Sequence, residues 1–261
     1  MKEYEYKIPE NNPAISGILA NISKGKRWDD GTHFPGIHVT YSYCVGGYGV
    51  TGVLDQYSDE DIRKFFEMIF EEVAADGETA FEFSAENDCM RERLLTVFSD
   101  KSISSEKEYS LRGIQKCREL SCIPEDVKIY QVDDNMINLM KNGTMQNADI
   151  FLERYFNSWE DKESFLNNSA AFIAVHEDSI VGTIFGSSSY EKAVAIDIEV
   201  DEKYRRKKIA KRLTEEMLNN LIDRGFVLQW DCVESNTISY KAAQSMGFEQ
   251  IRERLYDWFE I

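Results

Sequence analysis

The segment Asp197 to Ala210 constrains this chain most. An extended apolar run gives way to a short turn dense in lysine and arginine, and the turn to a helix. Lys203 to Arg212 holds seven basic residues and no acidic one, in a chain whose formal net charge is -17. The first turn of a helix presents backbone N–H groups without intrahelical partners, together with the positive end of the helix dipole. Cations just before such a turn make a receptor for phosphate or pyrophosphate, although a basic run is also ordinary as a solvated helix end. The residues that follow extend the pattern. Ala210, Leu213, Met217, Leu218, Leu221 and Ile222 share one helical face, and Gly225 supplies the stop. Phe226 to Cys232 has the branched and aromatic content of a buried strand. Asn236 then precedes a second helix, Thr237 to Met246, ended by Gly247-Phe248.

This order of strand, basic turn, helix, strand, Asn, helix and Gly-Phe resembles the acyl-CoA-binding core of the GNAT superfamily of N-acetyltransferases. The family's pyrophosphate loop reads Gln/Arg-x-x-Gly-x-Gly/Ala, and Arg205 and Ala210 occupy its first and last positions. Its second signature reads Asn, eleven residues, then Phe; Asn236 and Phe248 keep that spacing. Two signatures in the expected context are far more specific than either alone. The resemblance implies acetyl-CoA as cofactor, held by the backbone of Ile198, Glu199 and Val200, by the turn Arg205, Arg206, Lys207, Lys208, Ile209 and Ala210, and by Asn236 with Ser239. The alternative for Asn236 is a plain helix cap, which the spacing to Gly247-Phe248 makes the lesser reading. Two departures bear on this. Lys208 and Arg206 stand where the family has glycines, although a helical backbone does not require glycine there. Ala243 stands where many members carry a tyrosine that protonates the departing thiolate; Tyr240, one turn earlier, is the candidate replacement.

For a base that takes the proton from the acceptor's ammonium group, three carboxylates are candidates. Asp231 ends the strand beside the cofactor strand, and Glu199 and Asp197 share one side of an alternating strand. Asp231 ranks first and Glu199 second; a water relay, or a solvent-facing role for each, stays open. Cys232 reads as a core thiol and not as an acyl carrier. Direct transfer from acetyl-CoA to a primary amine of a small molecule is the expected reaction. The alternative is a CoA- or ligand-binding module without turnover, favoured by the missing loop glycine and the missing tyrosine.

At 261 residues the chain is long enough for two domains of ordinary size. The second half, 127–261, supplies the rest of the acetyltransferase order. Val127 to Val132 reads as a strand, and Asp133 or Asp134 can cap a helix from Asn135 to Met140. Ile150 to Phe156 and Lys162 to Leu166 read as helices. Ala171 to His176 and Ser179 to Phe185 read as strands joined at Glu177-Asp178. Strands at Ala193 to Val200 and Arg254 to Phe259 complete an α/β fold with a mixed sheet, antiparallel first, and helices on both faces. The first half, 1–126, is expected to be a smaller α/β domain. Its helix Asp59 to Ala75, strand Thr79 to Phe83, polar turn Glu86-Asn87-Asp88 and helix Met90 to Phe98 echo the order of Ile209 to Met246 without a basic turn. A degenerate copy of the same fold and an unrelated cap both fit that order. The two-part layout resembles acetyltransferases of the zwittermicin A resistance type, with Trp159 and Phe165 ahead of the strand Ala171 to His176.

Composition excludes several other readings. Three scattered histidines and five cysteines without framework spacing give no metal site and no disulfide framework. The cysteines and the absence of an apolar leader lead to an expected cytoplasmic location. The acidic balance speaks against nucleic acid and anionic membrane as partners and favours a cationic small molecule. A homodimer is left open.

Overall fold

Two helices of similar length, α2 (Asp59–Ala75) and α7 (Ile209–Asp223), each carry one buried apolar stripe and each return the chain to a strand parallel to the one it left. The rest of the fold is arranged around these two crossovers. The computed structural model describes residues 12–29, 31 and 33–261.

The first half runs α1 (Pro13–Leu19), β1 (Lys26–Trp28), β2 (Ile37–Tyr41), β3 (Tyr48–Gly52), α2, β4 (Ala80–Ala85), α3 (Asp88–Val97) and β5 (Ser104–Gly113). The second runs β6 (Val127–Gln131), α4 (Asp134–Lys141), α5 (Ala148–Ser158), α6 (Lys162–Asn168), β7 (Ala171–His176), β8 (Ser179–Tyr190) and β9 (Ala193–Val200). A 3₁₀ turn, Glu202–Tyr204, leads into α7, and β10 (Val227–Val233), α8 (Thr237–Ser245) and β11 (Glu249–Glu260) complete it. All eleven strands among the described residues form one mixed sheet, ordered β1-β2-β3-β4-β11-β5-β10-β9-β8-β7-β6.

The order at the centre is informative. The last strand of each half pairs with the other half: β11 lies against β4, β5 lies against β10, and β5 and β11 pair with each other. The sheet therefore runs unbroken across position 126/127. An ion pair closes the exchange from each side. Arg91 of α3 reaches Asp257 of β11, which is fully buried and also bonded by Ser105, and Arg254 of β11 pairs with Glu108 of β5. A buried carboxylate is tolerated only with such partners.

Three apolar clusters cover the sheet. A phenylalanine-rich one lies under α2 and α3, a second under α7 and α8, and a third fills the space between β7, β8 and α4–α6 around Trp159, Phe151 and Phe165. Helix α2 has the bounds its periodicity predicts, with Ser58 as cap in a capping box with Asp61. Strand β8 continues past Phe185 to Tyr190, and β11 begins at Glu249 rather than Arg254. In each, one neighbour supplies ladder partners to the polar extension, β9 for β8 and β5 for β11. Gly182 faces Val200, Ile209 and Leu213, where a Cβ would sit 3.2–3.3 Å from their side chains. The β7–β8 register shifts between Ala174 and Val175, beside this glycine.

Candidate acyl-CoA site and its acceptor side

β9 and β10 begin as a parallel pair but hold register over only three positions, ending at Gln229 opposite Ala195. β9 then continues to Val200 and β10 to Val233 without pairing with each other, each keeping its other neighbour, β8 and β5. The two strands splay, and the peptide groups of β9 beyond Ala195 face a gap instead of a neighbour. Peptide groups shielded from water need hydrogen-bond partners, so an extended ligand with amide groups suits this gap.

Above the gap begins α7. Its first turn carries no acidic residue, and no side chain caps its N–H groups. Here the splayed strands, α7 and α8 enclose a cleft of about 600 Å³. Ile198, Glu199 and Val200 line it from β9; Arg205, Arg206, Lys208, Ile209 and Ala210 from the basic turn; Asn236 and Ser239 from α8. Lys207 alone of the expected cofactor residues is not in the lining, standing over the Tyr204 ring with Nζ 4.6 Å from its centroid. Arg205 is positioned by donating Nε–H to the Val200 carbonyl at 3.2 Å.

The two positions where the loop departs from glycine have a specific backbone. Arg206 has φ 62° and Lys208 φ 63°, both in the left-handed region. The expectation that a helical backbone makes glycine unnecessary is therefore corrected. The turn before α7 is left-handed at both points, and L-residues adopt that conformation at a cost of about 1–2 kcal/mol each.

Asn236 caps α8, its Oδ1 accepting the Ser239 N–H at 3.1 Å, while also lining the cleft. Ser239 in turn accepts the indole N–H of Trp230 at 2.8 Å. Sequence reasoning missed Trp230 as a cleft residue. It also missed Ile238, 83% exposed, which with Ala242 and Met246 forms an apolar wall. The signal was available: Ile238, Ala242 and Ser245 recur at helical spacing on the α8 face away from Phe248.

Tyr240 is not brought to the cleft. Its ring packs on Tyr109 of β5, its hydroxyl donates to Gln250 at 2.8 Å, and it lines a separate surface hollow with Glu234 and Glu253. The physical reason is angular. The cleft takes the 239/242/246 face of α8, and Tyr240 lies about 100° around the helix from Ser239.

The candidate bases lie on the other face of the sheet. Leu228, Trp230 and Cys232 of β10 pack into the α7–α8 core, so Gln229 and Asp231 point oppositely. Gln229 donates to both Asp231 carboxylate oxygens at 3.1 Å. Burial, and next the nearby Glu108 carboxylate, push the Asp231 carboxyl up from 3.8 to about 6, opposed by hydrogen bonds from Ser110 and Gln229 and by the charge of Arg254. Asp197 and Glu199 share this face on β9. Both are held by Arg154 of α5, Nε to Asp197 at 2.5 Å and Nη2 to Glu199 at 2.7 Å. The Cys232 thiol is pushed up by burial, as befits a core residue.

Comparisons with known proteins bear on the family and the fold. The profile of the family described as GNAT acetyltransferase matches residues 12–256. A [ribosomal protein bS18]-alanine N-acetyltransferase from Haemophilus ducreyi is 30% identical over 98 residues, 36% of this chain and 68% of the relative. Among solved structures, a GCN5-related N-acetyltransferase-like protein from Streptococcus suis superposes with TM-score 0.61 at 16% identity, covering 91% of this chain and 88% of that one. A tandem GNAT protein from the clavulanic acid biosynthesis pathway gives TM-score 0.59 at 11% identity, covering 98% and 89%. At these identities the two structures speak for the fold alone, which they share with this chain over nearly its whole length. The profile match takes in both halves, from α1 to β11, and on that ground the chain belongs to the GNAT acetyltransferase family.

Proposed function

We propose that this protein transfers an acetyl group from acetyl-CoA to a primary amine of a small molecule by direct attack. The observation that carries the reading is the splay of β9 from β10 beneath the basic, uncapped start of α7. A pantetheine arm is an extended chain with two amides, suited to the free strand edge, and a pyrophosphate suits Arg205, Arg206 and Lys208 beside backbone N–H groups. Acetyl-CoA supplies the thioester that is attacked; the chain's own residues do the rest. β9 orients the arm, Asn236 and Ser239 border it, and Asp231 receives the proton that the ammonium group must lose. Its pKa, raised to about 6, leaves it ionised at neutral pH yet basic enough to accept. Glu199 is the weaker candidate for that proton, because its carboxylate is already engaged by the Arg154 guanidinium at 2.7 Å.

Small-molecule scale is favoured by the first half, whose β2–β3 turn closes over the acceptor side. The similarity to zwittermicin A resistance-type acetyltransferases points the same way. A CoA-binding module without turnover is the second reading, favoured by the position of Tyr240 away from the cleft. Calorimetry with acetyl-CoA, followed by thiol release with a panel of amines, tests both. Binding in the micromolar range with amine-dependent thiol release is expected; absence of binding sinks the proposal, and binding without release under every amine favours the second reading.

A further inference from the structure

On the face opposite α7 lies a second cavity, of about 340 Å³, lined by Tyr43, Cys44, Ile150, Glu153, Arg154, Asn157 and Glu199. It draws on both halves of the molecule: Tyr43 and Cys44 come from the β2–β3 turn, Glu153 and Arg154 from α5, Glu199 from β9. Glu199 also lines the acyl-CoA cleft, so the two cavities meet at this residue. Resting on the acetyltransferase reading above, we propose that this cavity is the acceptor subsite and that the acceptor carries a second positive charge, a diamine-like small molecule whose far ammonium sits beside Glu153.

Charge and available valence both favour a dication. Arg154 is the one cation among the described lining residues, and both sides of its guanidinium are already engaged by Asp197 and Glu199. It is thus poorly placed to receive a carboxylate from the acceptor. Lys24, near the end of α5, is turned to the Phe156 carbonyl at 3.2 Å and is not in the lining. Against the single Arg154 charge stand Glu153, Glu199 and the adjoining Asp197. The floor is polar, since the Cys44 thiol contacts the hydroxyls of Ser158 and Ser187, buried to 1% and 5% exposure. Ile150, about one-third exposed, gives a methylene segment something to lie on between the two ends. A near ammonium by Glu199 stands at the junction with the cleft, where attack on the thioester must occur, and a far one by Glu153 sets the length. An ammonium paired with an exposed carboxylate gains little in absolute terms, yet enough to rank substrates.

Three amines of equal length separate the possibilities: diaminopentane, pentylamine and aminopentanoate, whose far ends are cationic, neutral and anionic. With the full chain and saturating acetyl-CoA, kcat/KM should fall in that order, by about tenfold between the first two. Glu153→Gln should narrow the diaminopentane-to-pentylamine ratio to about twofold, chiefly through KM, and raised salt should narrow it likewise. Equal kcat/KM for all three, preference for aminopentanoate, or an unchanged ratio in Glu153→Gln overturns the subsite. If acetyl-CoA binds but none of the three is turned over, alkylation of Cys44 followed by peptide mapping decides. Protection by diaminopentane and not by aminopentanoate upholds the subsite; equal protection or none overturns it. Failure to bind acetyl-CoA overturns the acetyltransferase reading and this subsite with it, whereas binding and turnover without charge preference overturn only the subsite.

Discussion

The two halves of this molecule run through the same order, hairpin, crossover helix, parallel strand, Asn-capped helix and final strand, and differ at the one place where a cofactor would enter. In the second half, β9 and β10 pair at their beginnings and part at their ends. In the first, the beginning of β3 pairs with the end of β4, from Tyr48 with Phe83 to Val50 with Ala85. The closure is continued by Glu86, whose N–H donates to the Val50 carbonyl and whose carboxylate accepts the Gly52 N–H, both at 2.9 Å. The helix starts differ as well. α7 follows four cations and is uncapped, whereas α2 is capped by Ser58 and opens with Asp59, Glu60 and Asp61. A phosphate would meet three carboxylates there. One half keeps an open, basic gap; the other has closed it with a carboxylate and serves as a wall and as a strand donor. Fold and ligand site are therefore separable properties of one topology.

The largest effect should come from Asp231. Counting back five residues from the capping asparagine of each half gives Asp231 from Asn236 and Glu82 from Asn87. Asp231→Asn should lower turnover by roughly a hundredfold or more at neutral pH and remove the acidic limb of the rate profile, which in the native protein falls below about pH 6 as the carboxylate is protonated. Glu82→Gln should leave rate and profile unchanged, because Glu82 is exposed and bonded only by the Tyr256 hydroxyl at 2.9 Å among the described residues. Stability gives a second check. A carboxyl whose folded pKa is raised binds its proton more tightly when folded, so its effect disfavours folding above about pH 6 and disappears below the unfolded value near 3.8. Asp231→Asn should thus keep or raise Tm at pH 7 to 8 while activity is lost. Loss of both together would mean that the residue is structural.

Next in size is the electrostatics of the two helix starts. Arg205→Glu with Lys208→Glu should weaken acetyl-CoA binding by about a hundredfold and flatten its salt dependence, two charge-assisted contacts at about 1.5 kcal/mol each. Replacing Asp59 and Asp61 by lysine should create no second binding site, because the β3–β4 gap stays closed beneath them. Calorimetric stoichiometry reads this directly. A second equivalent of acetyl-CoA bound by that variant would show that charge alone, and not the splay, separates the halves.

A smaller effect separates the capping asparagines. Each Oδ1 accepts a backbone N–H, at 3.1 Å from Ser239 and 2.9 Å from Met90. Alanine at either should cost about 1 kcal/mol of stability. Only Asn236→Ala should also weaken acetyl-CoA, by several-fold, since only Asn236 borders an open cleft. Equal, unaltered affinity in both variants would reduce Asn236 to its cap.

How far these differences were legible in the sequence depended on whether they lie in side-chain pattern or in backbone geometry. The periodicity of Asp59–Ala75 and Ile209–Asp223, the caps Ser58 and Asn236, and the basic turn that lines the cleft follow from spacing, whereas Trp230 and Ile238 of the same cleft were missed. β5 was not legible. Ser-Ser-Glu-Lys-Glu-Tyr-Ser-Leu-Arg-Gly has little apolar alternation, since its polar face is satisfied by Arg254, Asp231 and Gln229 on strands distant in sequence. The strand exchange, which depends on β5, was hidden with it. Tyr240 lies outside the cleft because a one-turn offset from Ala243 does not put it on the cleft face; it sits about 100° around α8 from Ser239 and packs on Tyr109.

The left-handed turn before α7 was also beyond a pattern argument, and it carries the smallest prediction. Lys208 and Ser58 occupy the same place in the two halves, the residue before the crossover helix, but Lys208 has φ 63° and Ser58 φ -72°. Glycine relieves a left-handed position and loosens the unfolded chain by a partly cancelling amount. Lys208→Gly should therefore stabilise the protein by about half a kcal/mol, equivalent to roughly 1–2 °C in Tm for a chain of this size. Ser58→Gly gains nothing from its ordinary backbone and loses a side-chain cap, so it should destabilise by a few tenths of a kcal/mol. Opposite signs in paired thermal melts would confirm that the second half stores strain where the first does not. The affinity cost of the lost lysine contact, read on the same Lys208→Gly protein, should be no more than about tenfold, because Arg205, Arg206 and the α7 amides remain. A destabilised Lys208→Gly would mean that the lysine side chain holds this turn, and the halves would then differ in charge and splay but not in strain.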